Sequence, residues 1–227
     1  MRLFVAIAPP AAVLEDLDAA VASLRPAWPR LRWTGVSAWH LTLAFLGEVD
    51  EDTAAALAPR LGRAASRHPS LSLSFAGAGA FPAAGRARVL WTGVHGDGPA
   101  LTALARSVAA GSRRAGAPPP DEGRRFRPHV TLARCREPAN LRALVDALDG
   151  YAGPPWTAPE IHLVRSYLGQ EQRYETVGTW PLRPAPAGPP GSGEPPGPAG
   201  PPGSGEPPGL ARPPGSGEPP GPGEPEP

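Results

Sequence analysis

From residue 184 onward the chain is almost entirely Pro, Gly, Ser, Ala and Glu. Such a segment offers too little apolar surface to offset the entropy lost when a chain is ordered. Any fold must therefore be assembled from residues 1–183, and residues 184–227 are expected to be a disordered tail. The tail repeats itself. Pro189-Pro190-Gly191-Ser192-Gly193-Glu194-Pro195-Pro196-Gly197 returns at 201–209 and again at 213–221, a period of 12. Glycine does not fall at every third position, which excludes a collagen helix and leaves a flexible, partly polyproline-like appendage.

The formal charge of the whole chain is +1, but the tail holds five Glu and one Arg, so residues 1–183 carry +5. A mildly basic folded part suits an anionic ligand without requiring one. The single cysteine, Cys135, excludes an intrachain disulfide, and the reducing cytoplasm is the expected compartment. Residues 1–8 are apolar, yet Pro9 and Pro10 interrupt them and Glu15, Asp16 and Asp18 follow, so export is not expected. No apolar run approaches the roughly 20 residues that span a bilayer. A soluble protein without a membrane partner is the reading.

Residues 2–8 read as a buried strand, and 11–24 as a helix with Val13, Leu14, Leu17, Val21 and Leu24 at helical spacing. Strands are expected at 31–33, 40–46, 71–75 and 88–94, with a helix over 50–65 that Asp50 or Asp52 can cap. In the second half, 101–110 and 141–148 read as helices, and 127–133, 161–168 and 174–180 as strands. The elements lack the strict alternation of a parallel sheet, so the expected class is α+β with antiparallel pairing. Gly77, Gly79, Gly93, Gly96 and Gly98 lack the spacing of a phosphate-binding loop and read as turn residues at strand ends.

Two segments match each other: His40-Leu41-Thr42-Leu43 and His129-Val130-Thr131-Leu132, 89 residues apart, with Trp39 and Pro128 before the histidines. In a strand, His and Thr two residues apart emerge on one face while their aliphatic neighbours bury on the other. If duplicated halves bring the strands to a common cleft, two imidazoles and two hydroxyls meet one small anion. A phosphate fits that set. Opening a cyclic phosphodiester needs a base that takes a proton from water and an acid that protonates the departing sugar oxygen, and histidine serves either role near neutral pH. Threonine hydroxyls can hold the non-bridging oxygens. Neither His has a second ligand at metal spacing on its own strand, so no metal and no cofactor is expected.

These segments resemble the two-histidine phosphoesterases, in particular the RNA 2′,3′-cyclic phosphodiesterase branch once called 2′-5′ RNA ligases. The resemblance covers residues 1–183. It rests on Met1-Arg2-Leu3-Phe4-Val5-Ala6-Ile7, on His40 to Val49, on Ala80-Phe81-Pro82 before Val89-Leu90-Trp91, and on Phe126 to Arg134. Leu163 to Leu168 with Tyr174-Glu175 resembles the closing strands. It implies two pseudo-symmetric lobes of antiparallel sheet with outer helices around a central cleft, and a product carrying a 2′-phosphate. By the same resemblance His40 is the proton donor to the leaving 3′ oxygen and His129 the acceptor that activates water, while Thr42, Thr131 and Arg134 bind the phosphate. Strict alternation puts Arg134 on the face opposite His129, so it has to lie past a twist or at the strand end. The segment 168–173 departs from the family in lacking a loop proline.

The implied partner is an RNA with a 2′,3′-cyclic phosphate end, and a monomer is the expected state. Two other readings use the same motifs: a phosphodiesterase for another small cyclic or 2′-5′ linked nucleotide, and a non-catalytic RNA-binding module. His68, His95 and His162 lack a partner motif and read as surface or structural residues. Arg113, Arg114, Arg124, Arg125 and Arg127 can steer an RNA backbone or form a solvated loop. Phe4, Trp33 and Trp39 read as core packing rather than base-stacking groups.

Overall fold

The computed structural model describes residues 1–120, 125–167 and 173–185; most of the repeat tail, Arg124 and the segment 168–172 lie outside the described residues. Residues Met1–Ala187 form one compact unit. It contains two antiparallel sheets. Sheet A has the strand order β3-β1-β8-β9, built from β1 (Arg2–Ile7), β3 (Leu41–Glu48), β8 (Glu160–Tyr167) and β9 (Arg173–Pro181). Sheet B has the order β2-β6-β5-β4-β7, built from β2 (Arg32–Trp33), β4 (Leu71–Phe81), β5 (Ala87–Gly96), β6 (His129–Ala139) and β7 (Trp156–Ala158).

Four helices cover the sheets, in each case because apolar residues recur along one stripe. Helix α1 (Ala11–Ala22) buries Val13, Leu17 and Val21. Helix α2 (Glu51–Ala65) buries Leu57, Leu61, Ala64 and Ala65, and Asp50 caps it by accepting from the Thr53 amide at 2.7 Å. Helix α3 (Gly98–Arg114) buries Leu101, Leu104, Ala105 and Val108, and α4 (Arg142–Asp149) buries Leu144 and Leu148. Helices α2 and α3 pack on each other, α2 against β9 and α3 against β3, while α4 lies on β4. Helix α3 thus follows a strand of sheet B yet covers sheet A. On the other side the Tyr151 hydroxyl donates to Asp16 of α1 at 2.7 Å, tying α1 to the segment after α4.

Sheet A has two unlike faces. Leu3, Val5 and Ile7 point into the main core, whereas Phe4, Ala6 and Val164 form a separate small cluster on the opposite face, flanked by Phe45 and Tyr174. That second face turns toward the site described below. No helix among the described residues is long and apolar enough to cross a membrane.

The α+β class with antiparallel sheets, two lobes and outer helices is the architecture expected from the sequence. The strand β7 escaped the sequence reading because it is three residues long. The glycine reading needs correction as well. Gly77, Gly79 and Gly93 lie inside β4 and β5, and Gly98 opens α3. Gly79 is there because the Trp91 indole lies across it; a β-carbon would sit 2.2 Å from that ring. Gly77 (φ 61°) stands where the β4–β5 register shifts. Gly96 (φ 106°) does stand at the end of its strand, with Asp97 between it and α3.

Gly79→Val is therefore expected to destabilise the fold by roughly 1–3 kcal/mol, the usual cost of forcing side-chain volume into a filled space. Gly98→Ala, where a β-carbon meets nothing within 4 Å, is the control and should be neutral or slightly stabilising. Urea unfolding midpoints of the two variants check this.

Candidate active site

The two His-x-Thr segments lie on neighbouring strands of different sheets: β3 is an edge of sheet A and packs against β6 of sheet B. His40 immediately precedes β3, and His129 is the first residue of β6. The charges of His129 and Arg134 both reach His40, and that of Arg134 reaches His129 and Tyr174 as well. The structure therefore brings His40, His129 and Arg134 to one place. Thr42 and Thr131 follow two residues after each His, half-buried, and neither hydroxyl has a hydrogen-bond partner among the described residues.

Arg134 reaches this face by a β-bulge. On β5, Leu90 pairs with Ala133 and the next residue, Trp91, pairs with Thr131, so Leu132 is an extra residue in β6. Both Leu132 and Ala133 are fully buried, and Arg134 is exposed. The bulge shifts the alternation by one, which puts Arg134 back on the side of His129 and Thr131. The first motif carries the same device. Val5 pairs with Ala44 and Ala6 with Thr42, leaving Leu43 as the extra residue. There Phe45 occupies the place equivalent to Arg134, with the Arg2 guanidinium 4.8 Å above its ring.

Each imidazole is held in a similar way. The His129 ring bonds through Nδ1 to the Arg127 carbonyl at 2.7 Å, and His40 makes a backbone hydrogen bond to Ala38. In both cases the partner is two residues upstream. With Nδ1 of His129 committed, Nε2 is the nitrogen left to exchange a proton. Aromatic rings surround both groups. Phe4 stacks on His40 with ring centres 4.5 Å apart, and Tyr174 meets it edge-on at 5.2 Å. Phe81 meets His129 edge-on at 5.0 Å, and Trp91 lies tilted at 6.1 Å.

This packing sets the protonation states. Burial pushes the His40 pKa down to about 4, with the Arg134 and His129 charges adding to it and the Ala38 hydrogen bond opposing. Burial also lowers His129, helped by Arg134 and opposed by the Arg127 carbonyl. Both rings are thus neutral near pH 7 in the ligand-free protein, beside the cationic Arg134. Such a pocket favours an anion, and an anion bound there restores basicity to both imidazoles.

Sequence reasoning missed Phe81, Trp91 and Tyr174 as parts of this site. Their only signal was their place in the segments that carried the family resemblance. Of the three aromatics considered at the outset, Trp39 is buried in the core, and the Trp33 indole donates to the Trp28 carbonyl at 3.4 Å. Phe4 is also buried, but it packs on the His40 ring itself. The remaining histidines lie elsewhere: His68 Nε2 bonds Ser107 at 2.8 Å, His162 bonds Thr179 at 3.1 Å, and His95 is exposed near the end of β5. No group of three or more metal-ligating side chains occurs among the described residues.

The depressed His40 pKa has a consequence for stability. The folded value, about 4, lies below the ordinary 6.5, so the unfolded chain takes up the proton first on acidification. The stabilisation is complete above about pH 6.5 and is lost as pH falls toward 4, by an amount on the order of 3 kcal/mol. Urea unfolding between pH 7 and 4 should show wild type losing stability more steeply than His40→Asn. Parallel curves would mean that the ring is not desolvated as described.

A family model described as the 2′-5′ RNA ligase superfamily matches residues 8–170. An RNA 2′,3′-cyclic phosphodiesterase of Geobacillus stearothermophilus is 33% identical over 171 residues, 73% of this chain and 52% of that protein. One of Aeropyrum pernix is 41% identical over 110 residues, 48% of this chain and 60% of that protein. The chain thus spans little more than half the length of these two relatives. The crystal structure of LigT of Escherichia coli in apo form superposes with a TM-score of 0.65 at 29% identity, covering 80% of this chain and 97% of that one. Because that family model covers most of the chain, both His-x-Thr segments included, the chain belongs to the 2′-5′ RNA ligase superfamily.

Proposed function

We propose that this protein hydrolyses the 2′,3′-cyclic phosphodiester at an RNA end to a 2′-phosphomonoester, without a metal, using His40 and His129 as acid and base. The observation that carries the reading is the convergence of two equivalent, desolvated imidazoles on a face that also presents Arg134. The activity named for the Geobacillus and Aeropyrum relatives supports it.

In this mechanism water attacks phosphorus and gives its proton to His129 Nε2. The bond from phosphorus to the 3′ oxygen breaks on the opposite side, and that oxygen takes a proton from His40. The products are a 2′-phosphate and a free 3′-hydroxyl, with His129 protonated and His40 neutral. Exchange with solvent returns both to their starting states. Thr42 and Thr131 donate to the non-bridging oxygens, where charge is held in the transition state, and Arg134 adds a charge-assisted contact. The substrate has a part in setting protonation. Its anionic phosphate offsets Arg134 and stabilises the imidazolium that the acid step requires.

Turnover of an oligonucleotide ending in 2′,3′-cyclic phosphate, measured in the presence of a chelator, is the direct test. Loss of activity in chelator would remove metal independence, and turnover of mononucleotides alone would favour the small cyclic nucleotide reading. His40→Ala and His129→Ala should each lower the rate by roughly 10²-fold or more. A wild type that binds RNA but never turns it over would leave only the binding-module reading. The pH profile carries a separate expectation. Because kcat/KM reports the free enzyme and kcat the complex, the basic limb of kcat should lie at higher pH than that of kcat/KM. Coincident limbs would mean that the bound phosphate does not restore the proton to the acid.

A further inference from the structure

Behind sheet A, on the side away from the histidines, α2 and α3 pack antiparallel and leave a groove between them. Its rim is made of Arg60, Arg63 and Arg67 from the α2 side and Arg106 and Arg114 from α3. Its floor is made of small residues, Ala64, Ser107, Ala110 and Gly111. A β-carbon at Gly111 would come within 3.5 Å of the Arg60 carbonyl, so the helices approach closely there and the guanidinium groups stand over a shallow channel.

The charge of this groove is unbalanced. Helix α3 contains no acidic residue, and those of α2 are confined to its first turn at Glu51 and Asp52. None of the five arginines has an ion-pair partner among the described residues. Arg63 and Arg114 lie in the last turns of their helices, where a cation is favoured by the helix dipole. Arg60 and Arg106 lie more than a turn from those ends and have no such reason. Arg60 and Arg63 are three residues apart on α2, a spacing at which like charges repel along a helix. Beyond the dipole contribution at Arg63 and Arg114, the fold gains nothing from this arrangement. A polyanion laid in the groove would.

We propose that the groove between α2 and α3 binds the phosphate backbone of the RNA strand whose end is processed in the cleft. This rests on the proposed function for the identity of the strand. Arg60, Arg63 and Arg67, the last just past the end of α2, span on the order of 10 Å, a length over which a stacked strand presents about three phosphates. Sheet A lies between groove and cleft, so a strand must pass around the sheet to engage both. At about 3.4 Å per nucleotide, roughly a dozen nucleotides reach 40 Å, enough to pass a sheet and one helix layer about 10–12 Å thick. The contact is therefore length-dependent: short substrates occupy the cleft alone, and long ones both surfaces.

The test uses the full chain and the triple variant Arg63→Gln, Arg67→Gln, Arg106→Gln, all at exposed positions. With an oligoribonucleotide of roughly two dozen nucleotides ending in 2′,3′-cyclic phosphate, KM should rise about tenfold at unchanged kcat, and the dependence of log affinity on log salt should lose about 2 units of slope. With a dinucleotide ending in the same group, both constants should stay at the wild-type values. Thermal stability should be unchanged or slightly raised, since repulsion is relieved. Equal KM values for wild type and variant on the long strand overturn the proposal, as does an equal change on the dinucleotide. Binding of the long strand with a 3′-hydroxyl end, followed by anisotropy, separates the two hypotheses. If wild type turns nothing over but the variant still loses affinity for this strand, the groove stands and the catalytic reading falls. Preference of the groove for poly-glutamate over RNA would mark it as a docking place for an acidic protein segment and overturn the assignment.

Discussion

A strand alternates its side chains with a period of two, so residues at positions i, i+2 and i+5 cannot share one face of an unbroken strand. The proposed site needs His129, Thr131 and Arg134 on a common face, and the extra residue Leu132 supplies the missing half-period. The equivalent bulge at Leu43 does the same for His40, Thr42 and Phe45. Each bulge buries two consecutive apolar residues, Leu43-Ala44 and Leu132-Ala133. The core anchors the irregularity: sliding either strand by one residue would expose a leucine and turn a histidine inward. The two lobes solve the same geometric problem with the same sequence, His-x-Thr-Leu-Ala. They differ at the next residue, which is Arg in one half and Phe in the other.

That difference leaves Arg134 as the guanidinium whose charge reaches both imidazoles. Aromatic rings cover the histidines, and the cost of dehydrating a cation keeps both neutral until something anionic arrives. Their orientation is set independently of any ligand, by bonds to the backbone two residues upstream. In the proposed mechanism a phosphate would therefore enter a site whose geometry is already in place and change mainly where the protons are.

Much of this was legible in the sequence because burial imposes periodicity. Among the described residues all four helices and eight of the nine strands coincide with apolar patterns, and the His-x-Thr repeat pointed to the candidate site. What could not be read was anything that depends on the phase between strands. Alternation placed Arg134 on the wrong face, because the bulge is a property of the β5–β6 pairing and leaves no mark in β6 alone. The same holds for Gly79. Its neighbours suggest a turn, yet its role is to make room for an indole from the adjacent strand. Phe81, Trp91 and Tyr174 come to the histidines across strand pairs, and a linear reading has no access to such contacts.

A site built around a single phosphoryl group also limits what that site can discriminate. In the proposed reading, two imidazoles, two hydroxyls and one guanidinium would recognise the cyclic phosphate equally well on a mononucleotide and at the end of a long strand. Preference for a strand has to come from contacts made elsewhere, and linking two weak contacts through one chain raises overall affinity through effective concentration, without any new interaction at the phosphate. Surfaces suited to that purpose should be cationic, shallow and unpaired, so that each contact is reversible. The helix pair behind sheet A meets these conditions through its small interface residues, which bring two arginine-bearing helices close enough to act on one strand. The duplicated sheets would then supply the chemistry, and the helices that cover one of them the grip on the rest of the molecule.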